Sequence, residues 1–147
     1  MRNTTKITLT VLLSLLMLAC VHNDSAKADG RKSNYTSNAS STIYVYYFHT
    51  NIRCETCVLV DNNTHRYLKE LFPKELKDGE LVFQSINIEN KEYQALVAKY
   101  KIWGQTLIFV KGDNAIDRTN DAFINVSSDS SKWKSMIYKQ VESLLLK

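Results

Sequence analysis

A Cys-x-x-Cys pair, Cys54-Glu55-Thr56-Cys57, stands between the apolar run Thr42-Ile43-Tyr44-Val45-Tyr46-Tyr47-Phe48 and a stretch with helical periodicity. The run is β-branched or aromatic at successive positions, as suits a strand covered on both faces. A strand feeding a helix whose first turn carries two thiols places them where the positive end of the helix dipole favours thiolate over thiol. That is how a redox-active dithiol is normally presented.

The third cysteine bears on the compartment. Residues 1–19 carry Arg2 and Lys6, no acidic residue, and an apolar run from Val11 to Ala19 broken by Ser14. Such a run is too short to span a bilayer and has the layout of a secretory signal. Its end, Leu16-Met17-Leu18-Ala19-Cys20, resembles a bacterial lipobox, which implies lipidation of Cys20 as the mature N-terminus. The alternative is an ordinary cleaved signal with Cys20 lying near the cut. With lipid on Cys20, the thiols left are Cys54 and Cys57, free to pair with each other, with a partner protein or with a metal.

From Val21 to Ser41 the chain is polar and too poor in large apolar residues to bury a core, so it reads as a tether. As a flexible coil it spans about 25 Å, enough to hold a domain off a membrane surface. The remainder, 42–147, is the size of one small domain. The formal charge of +4 falls by two once Arg2 and Lys6 leave with the signal. No Lys/Arg run or interleaved aromatic patch is present, which argues against nucleic acid as a partner.

Within the domain, elements alternate. From Glu55 to Phe72, the positions Cys57, Val60, Thr64, Leu68, Leu71 and Phe72 recur at near-helical spacing, with Asp61, Asn62, Asn63 and His65 expected to face elsewhere. Pro73 is expected to end that helix. A turn at Lys77-Asp78-Gly79-Glu80 precedes a second strand, 81–88, and Tyr93, Leu96, Val97 and Tyr100 mark a short amphipathic helix over 91–100. A third strand, 106–110, runs into a hairpin-like turn at Lys111-Gly112-Asp113-Asn114. A fourth strand is expected within Ala115 to Val126, and a last helix, N-capped from Asp129, Ser130 or Ser131, carries Trp133, Ile137, Val141, Leu144 and Leu145 as its apolar stripe.

This βαβ, α, ββα order, with the dithiol after the first strand, resembles the thioredoxin fold, which implies a central four-stranded mixed sheet. Ile86-Asn87-Ile88-Glu89 resembles a thioredoxin strand end, and Tyr100-Lys101-Ile102-Trp103-Gly104-Gln105-Thr106-Leu107 resembles the segment leading to the active-site cis-proline. The run from Val45 to Cys57 resembles, more narrowly, exported thioredoxin-like lipoproteins labelled as the ArsF family of a nitrophenyl compound nitroreductase. Nothing in the chain resembles a flavin site, so nitroreduction is not inferred and no cofactor is expected.

Three departures from the thioredoxin pattern stand out. Arg53 replaces the usual Trp, and Glu55-Thr56 replaces Gly-Pro. The cis-proline is absent: Gln105 and Thr106 fall near its place, the segment is one residue short, and Pro73 is the only proline. A cis bond before a non-proline residue costs about 2.5 to 4 kcal/mol, so this loop is expected to be trans or rebuilt. In the resembled family that proline helps dock substrate and shields the thiols from metal.

As a structural staple the pair is weak, since closing so short a loop returns only about 2 kcal/mol. As a metal or metalloid site it suits Cu⁺ or arsenite better than Zn²⁺, with His49 as a candidate third ligand. The favoured reading is thiol-disulfide exchange with protein thiols or disulfides, with no metal. There Cys54 is the exposed attacking thiol, its thiolate favoured by the helix terminus and Arg53 and opposed by Glu55, and Cys57 resolves the mixed disulfide. A catalytically silent interaction module is the third option. His49, Arg53, Gln105 and Thr106 are the candidate modulators, whereas His65 and His22 read as solvated residues. Trp103 either lines a groove at the dithiol or covers the core edge. The expected whole is a monomer, lipid-anchored to a bacterial membrane and facing the periplasm.

Overall fold

A computed structural model of the chain describes residues 41–147. The apolar leader, Cys20 and His22 lie outside the described residues, as does the tether except Ser41. Among the described residues no helix is long and apolar enough to cross a membrane.

Four strands form one mixed sheet: β1 (Ile43–His49), β2 (Leu81–Asn87), β3 (Thr106–Lys111) and β4 (Asn114–Asp117), in the order β2-β1-β3-β4. β1 runs parallel to β2, with Ile43 opposite Leu81 and His49 opposite Asn87, and antiparallel to β3, with Phe48 opposite Thr106. β3 and β4 are antiparallel and joined at Gly112, whose φ of 58° suits a residue without Cβ. Among the described residues five α-helices accompany the sheet: α1 (Glu55–Leu71), α2 (Pro73–Asp78), α3 (Gln94–Tyr100), α4 (Thr119–Ser128) and α5 (Ser130–Leu145).

The pleat sorts the central strands into two cores. Ile43, Val45 and Tyr47 of β1, with Leu107 and Phe109 of β3, face one side and pack against Val60 and Leu68 of α1, Ala122 and Val126 of α4, and Trp133, Ile137, Val141 and Leu144 of α5. Tyr46, Phe48, Ile108 and Val110 alternate to the other side, where Ile86 and Ile102 join them and Leu96, Val97 and Tyr100 of α3 lie against the cluster. Helices on both faces explain why β1 and β3 are apolar at nearly every position.

Several expectations needed correction. β4 stops at Asp117, and 119–128 is helical rather than strand. The reason is periodicity: Ala122, Asn125 and Val126 fall at i, i+3 and i+4 and are buried, so a helical stripe covers more core than alternation does. Pro73 does end α1, but it also occupies the first turn of α2, where its missing N–H is no loss. The expected helix over 91–100 opens as a 3₁₀ turn, Lys91–Tyr93, before α3 begins. Of the three proposed caps of α5, Asp129 serves, its carboxylate accepting the Lys132 N–H at 2.8 Å.

Candidate functional site

The dithiol sits where β1 ends and α1 begins, beside the ends of the parallel pair β1 and β2. Cys54 is the N-cap of α1, with extended backbone, and its Sγ accepts the backbone N–H of Cys57 at 3.0 Å. Cys54 and Cys57 are joined as a disulfide with S–S 2.06 Å. The two sulfurs are not equivalent: Cys54 is exposed, whereas Cys57 is only 3% exposed, on the buried stripe of α1. Glu55, exposed in the first turn of α1, puts negative charge near a sulfur that the dipole would otherwise favour as thiolate.

The loop before the dithiol is pinned from two sides. Glu89 accepts hydrogen bonds from the backbone N–H (2.8 Å) and the side-chain amide of Asn51. Asn87, at the end of β2, donates to Asn51 Oδ1 at 2.6 Å and accepts the Glu89 N–H at 2.9 Å. From the opposite side Gln105 Nε2 donates to Thr50 Oγ1 at 3.1 Å. Gln105 and Thr50, remote in sequence, therefore bring the loop before β3 against the loop that carries the dithiol. Thr106, the other residue expected there, turns back on its own loop and donates to the Gly104 carbonyl at 3.1 Å. No peptide bond among the described residues is cis.

Arg53, expected to favour the Cys54 thiolate, is engaged by its neighbours on α1 and β1. Its Nη2 donates to Asp61 Oδ2 at 2.7 Å and reaches the Cys57 carbonyl at 3.4 Å. Its guanidinium also lies 5.6 Å from the Tyr47 ring centroid. Asp61, expected to face away, is buried one turn beyond Cys57, and Ser85 of β2 donates to the same Oδ2 at 2.7 Å. Burial raises the Tyr47 phenol's pKa and the Arg53 cation pulls it partly back, yet its hydroxyl has no hydrogen-bond partner of normal geometry among the described residues.

His49, at the end of β1, donates through Nδ1 to the Thr50 carbonyl at 2.9 Å. No three His, Cys, Asp or Glu side chains among the described residues come together as a metal-ligand set. His65 is not the solvated residue expected: it is partly buried, stacks on Phe83 at 4.8 Å, and has its pKa lowered first by burial and then by Lys69. Trp103 covers no core. It is 92% exposed and borders a cavity of about 360 Å³ between its loop and β4, while Ile52, two residues before Cys54, is 88% exposed.

Asp61 and Ser85 are the site residues that sequence reasoning missed. The signal for Asp61 was present, because Cys57, Val60, Asp61, Thr64 and Leu68 together make the stripe of a helix face. Ser85 had no local signal, since only strand pairing brings it to α1.

No protein-family profile matches the chain, and no curated protein matches it. Among solved structures, one titled as the structure of a malarial protein aligns over 56% of this chain and 93% of its own, at 15% identity and a TM-score of 0.38. A likeness of that degree carries no argument about fold or function.

Proposed function

We propose that the chain is a thiol-disulfide oxidoreductase of thioredoxin-like topology, acting on protein thiols or disulfides, and held at a bacterial membrane, facing the periplasm, by lipid on Cys20. The observation that carries the reading is the asymmetry of the dithiol, an exposed N-cap sulfur beside a buried one. A four-stranded mixed sheet, with a parallel β1/β2 pair and an antiparallel β3/β4 hairpin, supports the reading, since the thioredoxin resemblance implies a central mixed sheet of four strands. Ile52, two residues before Cys54, is exposed and offers apolar surface next to the dithiol to a polypeptide partner.

The chemistry runs in two displacements. In the reduced protein, the Cys54 thiolate attacks one sulfur of a partner disulfide, forming a mixed disulfide and expelling the other partner sulfur as thiolate. Cys57, deprotonated in turn, attacks Cys54 Sγ, forms the intramolecular disulfide and releases the second partner thiolate. The partner gains two electrons that the dithiol loses, and protons exchange with water. The reverse sequence oxidises a partner dithiol, and the relative potentials set the direction. Helix α1 supplies the donor that stabilises Cys54 as nucleophile and as leaving group, and the pinned loop from Thr50 to Arg53 fixes its position.

The test is a trap. Cys57→Ser removes the resolving thiol, so the full chain expressed in cells should accumulate mixed disulfides with partner proteins that dithiothreitol releases. The same adducts in Cys54→Ser, or none in either variant, would count against exchange chemistry.

A further inference from the structure

We infer that Arg53 and Asp61 form an opposed charge pair that sets the redox poise of the dithiol, with Ser85 holding the carboxylate in place. This deepens the proposed function, and rests on the dithiol being redox-active. Neither residue touches a reacting partner; both act through the sulfurs.

The geometry is specific. The Arg53 guanidinium bridges the carbonyl of Cys57 (3.4 Å) and the carboxylate of Asp61 (2.7 Å), and its side chain is 23% exposed while that of Asp61 is 12% exposed. Asp61 follows Cys57 by four residues on one helix, which puts their Cβ atoms about 5 to 6 Å apart. Ser85 arrives from the neighbouring strand β2, and donates to the very oxygen that Arg53 contacts. A cation and an anion are therefore both held within one turn of the buried sulfur.

Their effect is confined to one redox state. The disulfide bears no charge, so neither residue biases it. Once two glutathione thiols reduce it and leave as glutathione disulfide, the dithiol has gained two electrons and one proton, and while one sulfur remains a thiolate it feels both charges. Arg53 stabilises that thiolate and Asp61 opposes it; paired, they nearly cancel. In such a partly buried setting one uncompensated unit charge shifts a thiol's ionisation by about one pH unit.

The surroundings leave the pair in control. Glu55 lies on the exposed side of the same helix, and β1 contributes Tyr47, beside Arg53, and His49, which is engaged with Thr50. β2 offers the uncharged Ser85. His65 lies further along α1, stacked on Phe83. From α4, Asp121 pairs with Arg118; from α5, Lys134 pairs with Glu70 near the end of α1, where Arg66 also binds; and on α2, Lys74 pairs with Asp78.

The test compares Asp61→Asn, Arg53→Gln and the double variant in the full chain, with folding checked by melting. Each is equilibrated with glutathione redox buffers, and thiol alkylation is followed against pH. Asp61→Asn should move the equilibrium about three- to tenfold toward the reduced form, or about 15 to 30 mV, and shift alkylation to lower pH. Arg53→Gln should move both the opposite way, and the double variant should return to within about twofold of wild type. A purely structural role would lower the melting temperature of both single variants without opposite movements of the potential. Single variants that shift in the same direction, or not at all, overturn the inference. If Arg53→Gln fails to fold with its unpaired buried carboxylate, Asp61→Asn decides: an unchanged potential and alkylation profile overturn the inference. A wild-type dithiol that never equilibrates with glutathione would instead count against the proposed function, and the alkylation profiles would still test the pair.

Discussion

Cys54 should react much faster than Cys57, by a margin the N-cap geometry allows to be worked out. As a thiolate, Cys54 Sγ holds the Cys57 N–H, at 3.0 Å in the disulfide form, as a charge-assisted hydrogen bond. Such a bond is worth about 1.5 kcal/mol, and the dipole of α1 adds about 0.5 kcal/mol, part of which Glu55 offsets. A net gain of roughly 1.8 kcal/mol multiplies the thiolate-to-thiol ratio by about 20. An ordinary thiol is about 3% ionised at pH 7, so the thiolate population rises to somewhat over a third. A stabilised thiolate is also a weaker nucleophile, which removes about a factor of four and leaves Cys54 about threefold faster than an exposed, uncapped cysteine. Cys57 has the opposite environment: at 3% exposure it is shielded from reagent, and burial disfavours its charged form. The assay is alkylation by iodoacetamide of the single-thiol variants Cys57→Ser and Cys54→Ser across pH 5 to 9. At pH 7 the first should react at least about tenfold faster. Equal rates across that range would refute the reasoning, because they would mean that neither cap nor burial distinguishes the sulfurs.

Three further outcomes are expected. His65 has its pKa lowered in the fold, so the unfolded chain binds its proton more readily and His65 lowers stability as pH falls through the ordinary histidine range. His65→Phe should shrink the loss of urea midpoint between pH 7.5 and 5.5, and an unchanged loss would remove His65 from the explanation. Lys101 caps α3 at a positive φ of 54°, a conformation that favours glycine, so Lys101→Gly should stabilise by about 1 kcal/mol and raise Tm by about 4 to 8 °C. An unchanged or lower Tm would show that the strain is relieved elsewhere. Cys20→Ala should abolish incorporation of a clickable fatty acid in bacteria, whereas undiminished labelling would exclude Cys20 as the lipid site.

Much of this arrangement was legible because the informative residues act locally. The unbroken apolar run of β1 announced a strand covered on both faces, and the Cys-x-x-Cys spacing placed one sulfur at a helix cap and the other on its buried side. What escaped depended on contacts between distant segments. Asp61 read as a surface carboxylate because isolated acids seldom enter a core, and only Arg53 and Ser85 together make its burial tolerable. The same ion pair, invisible in the sequence, is what engages the Arg53 guanidinium. His65 was misread for a similar reason, since the Phe83 ring it stacks on comes from β2. In 119–128, charged residues hid a helix whose buried stripe is short, Ala122, Asn125 and Val126, and was easily mistaken for a broken strand. The loop at Gln105 was recognised by its place in the chain, while its hydrogen bond to Thr50 came from tertiary packing alone.

Exchange chemistry is tested most directly by the rate at which the chain reduces a disulfide-bonded protein substrate at pH 7, with dithiothreitol recycling the dithiol. Wild type should accelerate reduction well beyond dithiothreitol alone. Cys54→Ser should abolish the acceleration, and Cys57→Ser should stop after forming a mixed disulfide through Cys54. Wild-type protein that is no faster than Cys54→Ser would contradict the proposal, whatever the reactivity of the isolated thiols.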